Sequence, residues 1–459
     1  MLLRRVLPLL LPALACAAGP ASWVPARWYW TDAASLELLR DTPLNCLLVK
    51  TWTPAFAGAA AARGVALLAV IAPGADVAAE ARRAAEGKLA GIVLEGDFPD
   101  GDFRRAREAA PALAVIELPA RSRMRLDDAA AVVGTYQGVW PGIQVLAGGA
   151  AKAAPTGSPW IETNTGFLRA ARAWGHASVW LGQLPPAKTV ITGERYRQAI
   201  ADAAIAGGRW VVALDDDLAA RLGKRDPAAL RDWQRMGQML AYFENHPEWR
   251  AMAPYARLAV VQDPASGALL SGGILDMLGA RHTPVLPVPA ARLTPDALRG
   301  ATMAVNVEGA ALPPEKQEVL KGFARSGGTL LTPSGGGSTG NRPAEAITLD
   351  KAETDRLNDV WHDVQALIGR RNLGARLFNV SGMLSNLLVS ADGKQLILHL
   401  VNYTSFPVEN ITVHMLGDYR HARLFTPEGV EKDLETYPVE GGVGVDIPSI
   451  AVCATLRLD

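Results

Sequence analysis

GIVLEGD, residues 91–97, and ALAVIELP, residues 112–119, decide how this chain is read. Each is a nearly continuous apolar run that stops on an acid. Between such runs lie Ala-rich, charge-flecked stretches such as DVAAEARRAAEGK (76–88), which suit helices. The alternation extends outward through NCLLVK (45–50), VALLAVI (65–71), AAVVGTY (130–136), PWIETN (159–164), ASVWLG (177–182) and RWVVALDDD (209–217). Strands apolar along their whole length imply a parallel sheet covered on both faces, and eight such units over roughly 200 residues predict a (β/α)8 TIM barrel. Its weakest unit holds IQVLAGGAAKAAPTG (143–157), Gly-rich and poorly helical. DPAALRDWQRMGQMLAYFENHPEW (226–249) closes the barrel, with Asp226 as helix cap and Pro227 in the first turn.

A second alternating block follows: RLAVVQD (257–263), SGGILDMLGA (271–280), TPVLPVP (283–289), ATMAVNVEG (301–309), PPEKQEVLKGFARSG (313–327) and GTLLTPS (328–334). Four short strands with intervening helices predict a small flavodoxin-like doubly wound domain. GGGSTGNRPAE (335–345) opens no helix, so it reads as a linker rather than a phosphate cradle. A helix around AETDRLNDVWHDVQALIG (352–369) leads into short alternating runs broken by Asp-Gly, Pro-Glu-Gly and Gly-Gly, which predict a C-terminal β-sandwich. The expected boundaries are a leader over 1–18, the barrel over 19–252, the doubly wound domain over 253–345, a linker helix over 346–372 and the sandwich over 373–459.

The 459 residues carry 46 basic and 46 acidic side chains, so no global field steers the chain to nucleic acid. MLLRRVLPLLLPALACAAG reads as a bacterial export signal, too short to span a bilayer as a mature helix. Ala13 to Cys16 also resembles a lipoprotein box, so lipidation and membrane attachment at Cys16 stand beside cleavage after Ala15 or Ala18. The mature protein is expected in the periplasm, outside the cell or anchored by lipid. Cys46 and Cys453 form no disulfide framework and read as buried small hydrophobes. No metal-ligand spacing occurs, so no metal or cofactor is expected.

The order of the three domains, with LPPEKQEVLKGFARSGGTLL (312–331) in the middle and ILHLVNYT (397–404) in the last, resembles family-42 β-galactosidases and related glycoside-hydrolase-like proteins. The middle block is similar to the β-galactosidase trimerisation domain, a relative of class I glutamine amidotransferases. The resemblance implies oligomer contact or interdomain packing there. Amidotransferase chemistry is excluded because the block has no Cys to serve as nucleophile.

Glycoside hydrolysis needs two carboxyl groups flanking the scissile bond, and barrel enzymes carry them at the C-terminal ends of strands. In the β-galactosidase clan the pair follows the fourth and seventh strands; the seventh run here ends in Gln183. The pattern similar to α-galactosidases and α-fucosidases uses the fourth and sixth strands, which by this count end in Glu117 and Glu162. Glu117 is therefore expected as nucleophile or stabilising carboxylate and Glu162 as general acid/base. Glu95, Asp97 and Asp215 are alternates or sugar-hydroxyl binders. Trp52, Trp140 and Trp180 are candidates for stacking on sugar rings, with Gln137 and Asn164 as hydrogen-bonding neighbours. Trp28, Tyr29 and Trp30 lie just ahead of the first counted strand. The chain thus reads as an exported glycoside hydrolase acting on an oligo- or polysaccharide. The competing reading is a catalytically degenerate carbohydrate-binding or scaffold protein. A serine hydrolase is not supported: the Gly-x-Ser-x-Gly match GGSTG (336–340) falls in the linker stretch rather than on a strand-to-helix elbow.

Overall fold

The computed structural model describes residues 19–126, 130–140, 143–145, 151–153, 163–175, 178–262, 268–307, 312–333 and 351–459. The leader with Cys16, and Trp160 and Glu162 with their neighbours, lie outside the described residues.

The barrel strands are β1 (Pro25–Arg27), β2 (Cys46–Val49), β3 (Ala66–Ile71), β4 (Gly91–Glu95), β5 (Ala114–Leu118), β6 (Val132–Thr135), β7 (Ser178–Leu181) and β8 (Gly208–Trp210). The first five form one parallel sheet in sequence order, and β6, β7 and β8 another. Backbone bonds close the ring. Arg27 N donates to Val212 O (2.7 Å) and Val212 N to Pro25 O (3.1 Å), joining β1 to the end of β8; Tyr136 N donates to Pro119 O (3.3 Å), joining β6 to the end of β5.

Side chains alternate between two packing clusters, as the pleat requires. Trp23, Cys46, Leu48, Leu68, Val93, Ile116, Leu118, Val132, Trp180 and Val211 fill the interior. Val24, Ala26, Leu47, Ile92, Leu94 and Val212 face the helices. Glycines at inward positions make room for Leu118: a Cβ at Gly134 would lie 2.4 Å from its Cδ2, and one at Gly182 2.9 Å from its Cδ1. The barrel is therefore a packed core with a mouth at one end, not a pore.

The surrounding helices are α1 (Pro54–Ala62), α2 (Val77–Glu86), α3 (Asp102–Ala109), α4 (Thr165–Arg172), α5 (Gly193–Ile205), α6 (Asp216–Gly223) and α7 (Pro227–Glu244). Asp226 caps α7 as the sequence suggests, accepting from Ala229 N ahead of Pro227, and Asp76 caps α2 by accepting from Ala78 N and Ala79 N. Among the described residues the weak unit has no helix directly after β6. Short strands Ile143–Val145 and Ala151–Ala153 pair there, the second also with Thr189–Ile191.

One strand differs from expectation and shifts the count. The first barrel strand is β1, within WVPARW, so NCLLVK holds the second strand and ALAVIELP the fifth. PWIETN supplies no barrel strand among its described residues; Thr163 and Asn164 lead directly into α4. β1 escapes a hydrophobicity reading because two of its three residues are Pro25 and Arg27. Proline is tolerated at the first position of a strand, and Arg27 has a partner inside the barrel.

Beyond the barrel, four parallel strands run in the order Leu286–Pro289, Leu258–Gln262, Met303–Asn306, Thr329–Leu331, the doubly wound arrangement expected. In the last domain a six-stranded antiparallel sheet, five of whose strands belong to that domain, packs against a four-stranded one around Met383, Leu398, Ile411, Val445 and Leu456. The short strand Ala253–Pro254, just after the barrel, pairs with Leu388 and Val389 of the larger sheet and ties the domains together.

Candidate active site at the barrel mouth

Arg27 and Glu95 define the mouth. Arg27 ends β1 on the inward face, two residues beyond Pro25 and four beyond the interior Trp23. Glu95 ends β4 two residues beyond the interior Val93. Arg27 Nη1 donates to Glu95 Oε2 (3.0 Å), and Nη2 donates to Oε1 and to Gly182 O (2.7 Å). The two side chains are only 6% and 16% exposed. This is a two-pronged guanidinium–carboxylate pair at the top of the packed interior, joining β1, β4 and the end of β7.

Glu117 lies elsewhere. In the β4–β5 register, Glu95 stands beside the interior Leu118, whereas Glu117 stands beside Leu94 of the outer cluster. Glu117 therefore faces the helical layer, where it pairs with Arg125. Glu117 also lies on the fifth barrel strand, so the fourth-strand position belongs to Glu95.

The other mouth-side acids are engaged with main chain. Asp97 Oδ1 accepts from Ala120 N (2.9 Å), with the Arg123 guanidinium 4.0 Å away. Asp215 is buried and caps α6 through Leu218 N (3.0 Å); its other oxygen accepts from Tyr196 Oη (2.7 Å) and Ile191 N (3.1 Å). Asp217, two residues on, pairs with Arg221 within the helix. After β7, Gln183 is buried: its Nε2 donates to Val139 O (3.2 Å), and its side chain fills the space a Cβ at Gly138 would need.

The predicted hydrogen-bonding pair is internal. Gln137 Oε1 accepts from Arg121 N (2.8 Å), and Asn164 Oδ1 accepts from Arg121 Nη2 (3.0 Å) and Val139 N (2.8 Å). Arg121 lies 4.1 Å over the Phe167 ring, and burial lowers its pKa to about 10. Asn164 also contacts Asp202, whose pKa burial raises despite nearby Arg195. Next to this group Asp276, from the helix Ala268–Ala280, accepts from Thr163 Oγ1 (2.6 Å) and Gly166 N (2.6 Å) at the start of α4. Burial pushes its carboxyl up to about 7, against the opposing pull of those bonds.

The predicted aromatics divide in the same way. Trp180 is fully enclosed in the barrel interior. Trp140 is buried edge-on to Trp210 and Tyr196, its Nε1 donating to Leu184 O (2.9 Å). Trp52 is half-buried with Arg83 4.2 Å over its ring. Trp28, Tyr29 and Trp30 follow β1 rather than preceding the barrel, and Tyr29 is 43% exposed. Its Oη is held between Leu214 N (2.8 Å) and Leu214 O (3.0 Å), which fixes an accessible ring at the rim. Arg27 is the site residue hardest to see in sequence: its one signal is a charge inside the aromatic run WVPARWYW, to which Tyr29 belongs.

No family model and no curated protein matches the chain. Among solved structures it is similar to α-L-fucosidase isoenzyme 2 from Paenibacillus thiaminolyticus, with TM-score 0.62, 12% identity, and 94% of this chain and 96% of that one covered. It is also similar to a GH42 β-galactosidase from G. stearothermophilus (TM-score 0.55, 10% identity, 95% and 98% covered) and to the β-galactosidase from Rahnella sp. R3 (0.53, 10%, 96% and 99%). These likenesses are of fold: a TIM barrel followed in the same chain by two further domains, matched over nearly the full length of each neighbour.

Proposed function

We propose that the protein is an exported glycoside hydrolase acting on an oligo- or polysaccharide, with Glu95 as nucleophile or stabilising carboxylate and Glu162 as general acid/base. The observation that carries this reading is the position of Glu95, an inward-facing acid at the C-terminal end of the fourth barrel strand, gripped by Arg27. Glu162 falls in the sequence between β6 and α4, so the two acids belong to the fourth and sixth units. That is the pattern of the α-fucosidase-like resemblance. Arg27 orients both oxygens of Glu95, and Tyr29 offers an aromatic face for a sugar ring.

A second reading, a glycan-binding protein without turnover, is favoured by the same grip on Glu95 and by the amide Gln183 after β7. Screening the mature protein against chromogenic fucosides and galactosides and plant and microbial polysaccharides separates the two. Under the hydrolase reading, E95Q and E162Q each lower turnover by about a thousandfold while substrate binding persists. Full turnover in both variants rejects the assignment, and glycan binding without hydrolysis by the unaltered protein selects the second reading.

A further inference from the structure

At the opposite end of the barrel, where the chain leaves α4 and α5 to enter β7 and β8, a cavity of about 350 Å³ opens among all three domains. Its size falls near the lower end of small-molecule sites, roughly 300–1,000 Å³. Arg169, Arg172, Arg250 and Arg292 line it, and among the described residues no carboxylate does.

The guanidinium groups are anchored, mainly by groups other than acids. Arg169 donates to Ser385 O (2.6 Å), Arg172 to Arg250 O (2.6 Å) and Arg292 to Ala173 O (3.5 Å). Among the described residues, Arg250 alone of the four has a direct carboxylate partner, Glu244, which it shares with Arg209. Glu248 pairs with His246. Arg169 lies in the field of the buried Asp276 and Asp202, whereas Arg172 stands near the cations Arg250 and Arg209, which share the single carboxylate of Glu244. Arg172 also lies against Gly207, where a Cβ would come within 2.9 Å of its Nε. A fixed, partly desolvated cation among other cations calls for an anion.

Apart from Asn386, whose Nδ2 donates to Ile205 O (2.6 Å), the rest of the lining is mostly apolar or aromatic. Phe243, Leu286, Pro287 and Leu388 contribute, and His246 lies flat on Trp249 with ring centroids 3.9 Å apart. We propose that this junction binds a small organic monoanion of monosaccharide size, its carboxylate on Arg172 and its ring body against the apolar wall. The site is separate from the mouth and does not depend on the hydrolase reading.

The test is calorimetric titration of the mature full-length protein with galacturonate and benzoate, their neutral counterparts galactose and benzyl alcohol, and inorganic phosphate. At least one carboxylate is expected to bind saturably and at least tenfold more tightly than its neutral counterpart. R172Q and R292Q should each lose that preference with an unchanged thermal midpoint in plain buffer, and E95Q should keep it. No preference for the charged members, or wild-type affinity in R172Q, overturns the proposal. Phosphate binding as tightly as the carboxylates overturns the role of the ring body.

Discussion

The two ends of the barrel treat arginine in opposite ways. At the mouth, Arg27 is enclosed and both of its terminal nitrogens meet Glu95. At the far end, Arg172 and Arg292 donate to backbone carbonyls, Arg292 also lying 5.7 Å over the Trp174 ring, and face a cavity that no described acid lines. A guanidinium closed on a carboxylate positions that carboxylate. One fixed by main chain and left among like charges is positioned for something else. Barrel enzymes keep their chemistry at the mouth and stability at the other end; here the far end also joins three domains around a cavity lined by four arginines.

Arg27→Met breaks this contrast most severely. It leaves Glu95 in a nearly enclosed site without its counter-charge, a change that typically costs about 3–5 kcal/mol. The measurement is the urea midpoint, read at unchanged denaturant slope. Arg172→Met should alter stability by less than about 1 kcal/mol, because it removes a cation from beside Arg250 and Arg209. Equal losses in the two variants would abolish the distinction between the ends.

A smaller effect comes from Asp276, whose folded pKa of about 7 lies above its ordinary 3.8. The native state therefore holds this proton more tightly than the unfolded chain. Its contribution to stability is complete below pH 4 and disappears as pH rises through 7. Burial lowers His282 to about 4 and His399 to about 3, so their contributions run the other way and are lost as pH falls from 6.5 through those values. Between pH 6.5 and 8 the Asp276 trend stands alone among these three. Asp276→Asn keeps an oxygen for Thr163 and Gly166 but cannot ionise. It should gain about 1 kcal/mol relative to wild type between pH 6 and pH 8. Parallel pH profiles for the two proteins would contradict that pKa.

Much of the architecture was legible because parallel strands, helix caps and turn punctuation each leave a pattern. The apolar runs marked β2 to β5, Asp226 and Pro227 marked α7, and alternating short runs marked the sandwich. β1 left little pattern, since a three-residue strand of Pro, Ala and Arg carries no hydrophobic run. Its omission moved the fourth-strand label from Glu95 to Glu117. The aromatics misled for a related reason: Trp140 follows a strand as a rim residue would, yet its ring lies within a buried aromatic group. Local sequence marks the end of a strand, whereas the direction of a side chain depends on neighbours distant in the chain.

Glu117 gives the smallest expected effect and the sharpest test of that point. Strands buried on both faces show no polar alternation, so the apolar run before Glu117 reads much like the run before Glu95. A single step of register separates them: Glu95 shares the inward face with Leu118, and Glu117 the outward face with Leu94. Its partner Arg125 is half-exposed, and ion pairs of that kind contribute about 0–1 kcal/mol. Glu117→Gln should therefore shift the urea midpoint by no more than that and leave any glycosidase turnover within about twofold of wild type, a change well below the tenfold step equivalent to 1.4 kcal/mol. If E117Q removed turnover while E95Q retained it, the inward face of β4 would lose its claim to the chemistry.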